Sequence, residues 1–205
     1  MILVDHGYTI TRWDPEIDLR EMCDAAETCY QSPAHKSKKD QEKFIRSIRD
    51  RGHRTPLEHS ILSVKFVTNR GVTHELVRHR LASPNQESTR YCCYDKDKFD
   101  NNVRFIRDTS VSEEDMDEWL RGCKLCEEEY FNRLKIFKTP DRARGALNND
   151  VKSTIKITTN YREWRHIFQL RCDDVHAHYQ MVELMSPLLN EVRKELPCVF
   201  DDISY

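Results

Sequence analysis

The sequence predicts an α+β fold: one compact domain, residues 1–205, with a mixed or antiparallel sheet and several helices, one of them long. Three observations support this prediction. Segments with the alternation of a half-buried strand are separated by segments with the spacing of amphipathic helices. No internal repeat or linker interrupts this order, and the chain has only five glycines and seven prolines. A chain of 205 residues is long enough to bury a core of its own.

The N-terminal third is predicted to contain two strands and two helices. Met1 to Ile10 is the first strand. Asp14 and Pro15 then provide an N-cap and a proline in the first helical turn, and this helix runs to about Gln31. A second helix is predicted from about Ser37 to Arg51. Ile61 to Thr68 is rich in β-branched and aromatic residues, which favours a strand.

The middle of the chain is predicted to hold a short helix, a strand and the long helix. Val72 to Arg78 is the short helix, and about Phe99 to Arg107 is the strand. Ser112 and Asp115 have the spacing of a capping box, from which a helix extends to about Lys138. Its apolar residues keep helical spacing throughout, so one face of this helix is expected to pack against a core.

The C-terminal third begins with the clearest strand pattern in the chain. Val151 to Thr159 alternates apolar and polar residues, as a half-buried strand does. Two helices are predicted after it, Tyr161 to Arg171 and about Val175 to Leu196.

Charge and composition exclude several classes of protein. The net charge is −2, so the overall charge does not favour a nucleic acid as partner. The N-terminus lacks the basic start and apolar run of a signal peptide, and no stretch approaches the roughly 20 apolar residues of a membrane span. We therefore expect a cytoplasmic protein whose eight cysteines are reduced.

Two pairs of neighbouring cysteines need a separate explanation. Cys123 and Cys126 lie on the apolar stripe of the predicted long helix, and a zinc site usually needs four ligands, so core packing is favoured and no metal site is expected. Cys92 and Cys93 are predicted to lie in a strand, with their side chains on opposite faces.

The most informative segment begins at Arg78, His79 and Arg80. Ser88 comes eight residues after Arg80, and Arg90 follows two residues later. Guanidinium groups match phosphate oxygens bidentately, and histidine can donate or accept a hydrogen bond. This segment is therefore predicted to bind a small molecule that carries phosphate.

A second segment, residues 159–171, combines apolar and cationic side chains at helical spacing. One face of the helix would carry Trp164, Ile167, Phe168 and Arg171. The neighbouring face would carry Arg162, His166 and Gln169, with Asn160 as the N-cap. An arginine at the end of an apolar stripe needs an acceptor. Arg171 therefore either contacts a ligand, or reaches solvent, or pairs with Asp173.

Arg-His-Arg followed by seven residues and a serine is the signature of the flavin-dependent thymidylate synthases, and residues 78–88 resemble it without a gap. Three further segments resemble the same family: His53 to His59; Ala143 to Leu147, which is similar to the family's Ala-Arg-x-x-Leu-Pro; and Leu170-Arg171, which ends a helix as in the family, with Asn160 and Arg162 before it. Glu75, three residues before Arg78, also matches a position of the family. Asn148 stands where the family usually has proline, which leaves the geometry of that loop open. The matching segments lie between residues 53 and 171.

The resemblance implies the family's fold and reaction. Family members methylate dUMP to dTMP, with 5,10-methylenetetrahydrofolate as the one-carbon donor and NADPH as the reductant acting through FAD. They are homotetramers whose active sites combine residues of several subunits. We therefore expect dUMP and the folate as partners, and neither a nucleic acid nor a membrane.

The resemblance also implies roles for individual residues. Arg171 is the expected catalytic residue, because a guanidinium at the uracil ring stabilises negative charge that spreads into it. The expected flavin-binding residues are His53, Thr55, Glu58, Arg78, His79, Arg80, Asn160, Arg162 and His166. The expected nucleotide-binding residues are Glu75, Arg78, Gln86, Glu87, Ser88, Thr89, Arg90, Arg144 and Arg171.

Two other functions stay open at this point. A degenerate member of the family could bind flavin without synthase activity. A non-catalytic nucleotide or nucleic-acid-binding module could use the arginines of both segments: Arg78, Arg80, Arg90, Arg162, Arg165 and Arg171. A nucleophilic role for Ser88 is disfavoured, because the sequence shows no adjacent base with an orienting partner.

Overall fold

The computed structural model describes residues 1–32, 34–35, 37–173 and 175–204, and it has the predicted α+β class. The strands in this part of the chain are β1 (Ile2–Val4), β2 (Gly7–Arg12), β3 (Ile61–Asn69), β4 (Ser83–Gln86), β5 (Arg104–Ile106) and β6 (Lys152–Asn160). The α-helices are α1 (Pro15–Tyr30), α2 (Lys38–Asp50), α3 (Arg70–Leu76), α4 (Met116–Phe137), α5 (Pro140–Ala143), α6 (Tyr161–Arg171), α7 (Tyr179–Glu195) and α8 (Pro197–Phe200). Short 3₁₀ helices span Thr55–Glu58, Asp97–Phe99 and Arg144–Ala146.

Two sheets organise the strands. β1 and β5 form a parallel pair, with Leu3 opposite Phe105. The other sheet has four strands in the order β2-β3-β6-β4. The predicted single strand from Met1 to Ile10 is therefore wrong, because β1 and β2 are separate strands that belong to different sheets.

The predicted helix boundaries depend on local capping, and most of them are confirmed. Asp14 accepts a hydrogen bond from the backbone N–H of Ile17 at 3.0 Å, and Gln31 ends α1 in the left-handed conformation with φ of 47°. Ser37 caps α2 in the same way, by accepting from the backbone N–H of Asp40 at 3.1 Å. These caps satisfy backbone groups that a helix end leaves without partners.

Three predicted elements are shorter than expected or absent. The strand around Phe99 to Arg107 is reduced to β5, because Asp100 and Asn101 are both left-handed and cannot continue an extended chain. The last long helix begins at Tyr179, since Asp173 accepts a hydrogen bond from the Val175 backbone N–H at 2.9 Å and so closes a turn there.

Cys92 and Cys93 do not lie in a strand. The backbone N–H groups of Tyr91 and Cys92 both donate to the carbonyl of Ser88, at 3.1 and 2.9 Å. These bonds close a turn, which is incompatible with the extended backbone that the sequence pattern suggested.

The contacts between residues divide the chain into two compact units, each made of three segments. The first unit comprises Met1–Gly7, Phe66–Arg78 and Asn85–Ile155. The second comprises Tyr8–Lys65, His79–Pro84 and Lys156–Tyr205. A single domain over residues 1–205 stays a prediction.

The core of the first unit packs around α4. Tyr130 and Cys123 of this helix are buried against Phe105 and Val151, and Cys126 is partly buried against the same cluster. Burial, chiefly, raises the pKa of Cys123 to about 12, so its thiol packs as a neutral apolar group. Among the described residues, no cluster of three or more His, Cys, Asp or Glu could hold a metal ion.

The core of the second unit forms around α6. Trp164 and Phe168 are fully buried and stack with ring centroids 5.4 Å apart, and Phe200 meets Phe168 edge to face. The indole N–H of Trp164 donates to the carbonyl of Leu62 at 3.0 Å. This core sets the rotation of α6 about its axis and therefore which of its polar residues reach solvent.

No helix in the described part of the chain has the length and apolar character needed to cross a membrane.

Candidate functional site

Helix α6 presents the two faces that its sequence predicts. Asn160 caps the helix by accepting from the backbone N–H of Glu163 at 2.9 Å. The apolar face, with Trp164, Ile167 and Phe168, is buried, whereas Arg162, His166 and Gln169 are exposed.

Arg171, at the end of this helix, bonds to a histidine that lies far away in the sequence. Its Nε–H donates to Nε2 of His79 at 3.0 Å, and His79 is only 6% exposed. The pairing with Asp173 that the sequence left open is absent from the described ion pairs, and Asp173 contacts His176 instead, at 2.9 Å. Arg171 is partly buried, so it does not simply extend into solvent.

The bond from Arg171 determines the protonation of His79. A guanidinium has only donors, so the Nε2 atom that it meets must carry a lone pair, and the ring proton must then be on Nδ1. Burial above all, together with the charges of Arg171 and His166, lowers the pKa of His79 from 6.5 to about 4. His79 is therefore a neutral hydrogen-bond acceptor at physiological pH.

Glu163 and His166 complete the surroundings of His79. Oε1 of Glu163 lies 3.7 Å from the Nδ1 atom of His79, and the ring of His166 is edge-on at 6.0 Å between centroids. Glu163 is itself buried, and this burial raises its pKa, although the nearby His166 opposes the shift. We call His79, Glu163, His166 and Arg171 the His79 cluster.

The Thr55–Glu58 3₁₀ helix packs against α6 and carries further predicted flavin-binding residues. Pro56 and Leu57 anchor it by being buried. Glu58 and Arg162 form an ion pair at 2.6 Å between the two helices, with both side chains partly exposed. Arg54 occupies the N-cap position of this helix, and no side chain caps it. Thr55 is exposed and so is His53.

Arg144 and Thr89, both predicted to bind the nucleotide, lie together in the first unit. Nη1 of Arg144 donates to the hydroxyl of Thr89 at 3.4 Å, and both residues line a cavity of about 250 Å³. Arg70 and His74 line the same cavity, 3.4 Å apart. Within the described ranges, Arg70, His74 and Arg144 have no carboxylate partner, so the guanidinium groups of Arg70 and Arg144 in this cavity are not neutralised by an acid.

Arg70 and His74 are site residues that the sequence analysis missed. They occupy positions i and i+4 of α3, directly before the Arg-His-Arg segment, and this spacing places two basic side chains on one helix face. That signal was present in the sequence. Asn148 closes the loop beside the cavity: its side-chain oxygen accepts from the Asp150 backbone N–H, and its amide donates to the Asp150 carboxylate, both at 3.2 Å. The loop thus forms without proline.

Gln86 and Glu87 are held by neighbours within the first unit. The amide of Gln86 donates to the hydroxyl of Thr73 at 2.7 Å. Glu87 pairs with Lys152 at 2.7 Å and accepts from the hydroxyl of Tyr94 at 3.2 Å. A nucleotide-binding role for these two side chains stays a prediction.

The remaining predicted residues lie within the Arg-His-Arg segment or near it in the sequence. Arg78, Arg80 and Arg90 are exposed, and Glu75 is half-buried. The hydroxyl of Ser88 accepts from the Arg90 backbone N–H at 3.3 Å, and no histidine bonds to it in the described part of the chain. This arrangement gives Ser88 no base, which argues against a nucleophilic role.

Arg165 is not available to any ligand. It is 2% exposed and forms a bidentate ion pair with Asp202 at 2.6 and 2.7 Å, and it also donates to the carbonyl of Val199. The nucleic-acid-binding alternative counted Arg165 among its basic residues, and the structure removes it from that surface.

Comparison with known proteins agrees with these features. Residues 13–198 match the family model described as thymidylate synthase complementing protein. A flavin-dependent thymidylate synthase of Geobacter sulfurreducens is 30% identical over 185 residues, which cover 87% of this chain and 78% of the relative. One of Mycobacterium tuberculosis is also 30% identical, over 195 residues that cover 87% and 76% of the two chains. The crystal structure of the UMP/dUMP methylase PolB of Streptomyces cacaoi shares the fold, with a TM-score of 0.81, 18% identity and coverage of 98% and 96%.

Proposed function

The chain belongs to the family of flavin-dependent thymidylate synthases, and from this membership we propose that it is an enzyme that methylates dUMP to dTMP with the help of bound flavin. One observation carries this proposal: the family match over residues 13–198 includes both the His79 cluster and the cationic cavity around Arg144. The chain thus has a partly buried guanidinium, Arg171, and a separate group of donors of the kind that a phosphate requires.

Arg171 is proposed to act on the uracil ring. C5 of uracil is a poor nucleophile, and its reactivity rises when negative charge can spread onto the ring oxygens. A fixed guanidinium stabilises that charge without reorganising during the reaction. The partial burial of Arg171 supports this role, because electrostatic interactions are stronger where water is excluded.

The cavity in the first unit is proposed to hold the nucleotide phosphate. Arg144 and the hydroxyl of Thr89 line it, and the Arg70 guanidinium adds a further donor beside His74. A phosphate dianion matches such a set, because guanidinium groups bind its oxygens bidentately. Ser88 and Arg90 are the neighbours of Thr89 in the sequence, and we propose that they bind the nucleotide phosphate as well.

The second unit has donors and acceptors that fit a flavin. The Thr55 hydroxyl, the His166 ring and the Arg162 guanidinium are exposed on two helices that pack together, and the Glu58–Arg162 ion pair connects those helices. His53 is exposed just before the first of these helices. FAD, when bound, would supply the hydride chemistry that no side chain can perform. These residues would bind and orient it, together with Arg80 and Asn160. For Arg78, which belongs to the first unit, a flavin-binding role stays a prediction from the family resemblance.

The finer features of the reaction are proposals that follow from the family resemblance. We propose that NADPH is the reductant, that 5,10-methylenetetrahydrofolate donates the carbon, and that the protein acts in the cytoplasm. We also propose a homotetramer in which active sites are shared between subunits.

Visible absorbance under nitrogen tests the proposed function. We expect purified protein with FAD to show flavin bands that bleach with NADPH and return only after dUMP and methylenetetrahydrofolate are both added, while dTMP accumulates. The variant Arg171→Gln is the matched control: its bands should bleach with NADPH but fail to return. Wild-type bands that bleach and never return would indicate a degenerate flavoprotein. Protein that takes up no FAD would refute the enzyme assignment.

A further inference from the structure

We propose that His79 is a positioning residue: it accepts a hydrogen bond from Arg171 and thereby fixes the orientation in which that guanidinium meets the nucleotide base. This inference rests on the proposed function for the identity of the base. It differs from the flavin-binding role that the resemblance implies for His79, since it assigns the residue an action through Arg171.

The hydrogen bond to His79 restricts the orientation of the Arg171 guanidinium. Arg171 is the last residue of α6, and a long side chain at a helix end has several rotamers that differ little in energy. The 3.0 Å bond from its Nε–H to His79 selects among them and sets the plane of the guanidinium. Because the five donors of arginine lie in one plane, setting Nε also sets the direction of the terminal nitrogens.

His79 is itself held rigidly enough to perform this function. Its side chain is buried, and the carbonyl of the same residue accepts from the backbone N–H of Ala82 at 3.1 Å, which closes a turn. In the same loop, the hydroxyl of Thr159 donates to the carbonyl of Leu81 at 3.1 Å and so connects the loop to the end of β6. The acceptor therefore lies on a segment whose backbone is held by hydrogen bonds at His79 and at Leu81.

The titratable groups around His79 keep its ring neutral, so that its Nε2 atom can accept a hydrogen bond. The titratable groups that face His79 in the described part of the chain are Arg171, Glu163 and His166, all on α6. A protonated His79 would present a second cation and an N–H to the guanidinium, and the bond would be lost. Glu163, on the opposite side of the ring, favours the tautomer with the proton on Nδ1, which leaves Nε2 as the acceptor.

Two substitutions separate this role from a general structural one. In His79→Gln the side-chain amide reaches the position of Nε2 and can still offer a carbonyl oxygen, whereas in His79→Asn the shorter amide reaches only the position of Nδ1. We expect His79→Asn to weaken dUMP binding by about tenfold, as loss of one charge-assisted hydrogen bond does, and His79→Gln to stay within about threefold of wild type. Isothermal titration with dUMP gives these affinities, and the ratio of flavin to protein absorbance is measured in the same samples.

The comparison between the two variants decides the outcome. A loss of dUMP affinity that is clearly larger in His79→Asn than in His79→Gln, with flavin content unchanged in both variants, would support the proposal. Equal loss of dUMP affinity in both, or loss of flavin in step with it, would overturn it, because a packing defect or a direct flavin contact would then explain the data.

A third measurement does not depend on the enzyme's activity. In wild-type protein labelled with ¹⁵N-histidine, the His79 resonances, assigned by their absence in His79→Gln, should show the Nδ1–H tautomer and no protonation above about pH 5. The opposite tautomer, or a charged ring at pH 7, would overturn the proposal even if dTMP is formed. If wild type neither binds dUMP nor forms dTMP, the proposed function fails, while these spectra still decide whether His79 accepts from Arg171.

Discussion

Replacing Asp202 with asparagine should destabilise the protein by removing the charge partner of a buried arginine. Asp202 forms a bidentate ion pair with Arg165 of α6 and lies 3.2 Å from Nη1 of Arg49, which is buried too. Arg49 keeps ion pairs with Asp201 at 2.5 Å and Asp50 at 2.6 Å. Arg165 keeps the carbonyl of Val199 and one amide oxygen of the new asparagine, but no carboxylate, and its Nε–H has no hydrogen-bond partner in the described structure. The substitution therefore leaves the buried Arg165 guanidinium without a negatively charged partner.

The expected decrease in the free energy of unfolding lies between the values for a fully buried and for an exposed ion pair. Removing one partner of a fully buried ion pair costs about 3–5 kcal/mol, whereas an exposed pair contributes about 0–1 kcal/mol. Arg165 is buried but Asp202 is 40% exposed, so water can partly compensate the loss. We expect a decrease in the free energy of unfolding of about 2–3 kcal/mol. For a chain of this length, that corresponds to a fall in Tm of about 4–12 °C.

The pH dependence of Asp202 supports the same reasoning. Burial raises the pKa of this carboxyl, but the hydrogen bonds and charge of Arg165, together with Arg49, outweigh burial and lower its pKa overall. A carboxyl with a lowered pKa in the folded state stabilises the protein above its unfolded pKa and loses that contribution as the pH falls through the folded value. The difference between wild type and Asp202→Asn should therefore shrink in acid.

Thermal unfolding followed by circular dichroism, at one protein concentration and with flavin content held constant, measures the effect. Glu118→Gln is the matched control, because Glu118 and Arg121 form an ion pair at 2.5 Å that is exposed on both sides. We expect no measurable change in its midpoint. If Asp202→Asn and Glu118→Gln unfold at the same temperature, the Asp202–Arg165 pair does not stabilise the fold and the reasoning is wrong.

Three further predictions concern the site and its surroundings. Arg144→Gln should weaken dUMP binding by about tenfold and leave deoxyuridine binding unchanged, because Arg144 is assigned to the phosphate; equal losses for both ligands in titration calorimetry would contradict that assignment. His79, whose pKa falls from 6.5 to about 4 in the folded state, binds fewer protons there than in the unfolded chain. Stability should therefore decline as the pH drops from 6.5 towards 4, and urea unfolding at several pH values should show a smaller decline for His79→Gln. Tyr94→Phe removes the hydrogen bond to Glu87 and should cost about 1 kcal/mol in urea unfolding with an unchanged m value; no shift in midpoint would show that Lys152 alone satisfies the carboxylate.

Local rules account for the parts of the fold that could be predicted. Asp14, Ser37 and Asn160 each cap the helix that follows, because a cap involves only residues three positions apart. The alternation along β6 and the faces of α6 were likewise readable, since each follows from the repeat of a single element. Where prediction failed, at Met1 to Ile10 and beyond Phe99, the outcome depended on pairing with distant strands or on left-handed backbone that the sequence pattern does not show.

By itself, the sequence determined the family, the helix caps and the set of basic residues from which a site could be built, because these depend on residue identity and short spacing. Only the tertiary structure decided what each basic residue does. Arg162 and Arg165 are three positions apart on one helix, yet the first is exposed beside Glu58 and the second is buried against Asp202. Arg171 meets His79 across 92 positions of sequence. Such partners are chosen by which faces pack together and exclude water, and that is a property of the whole fold.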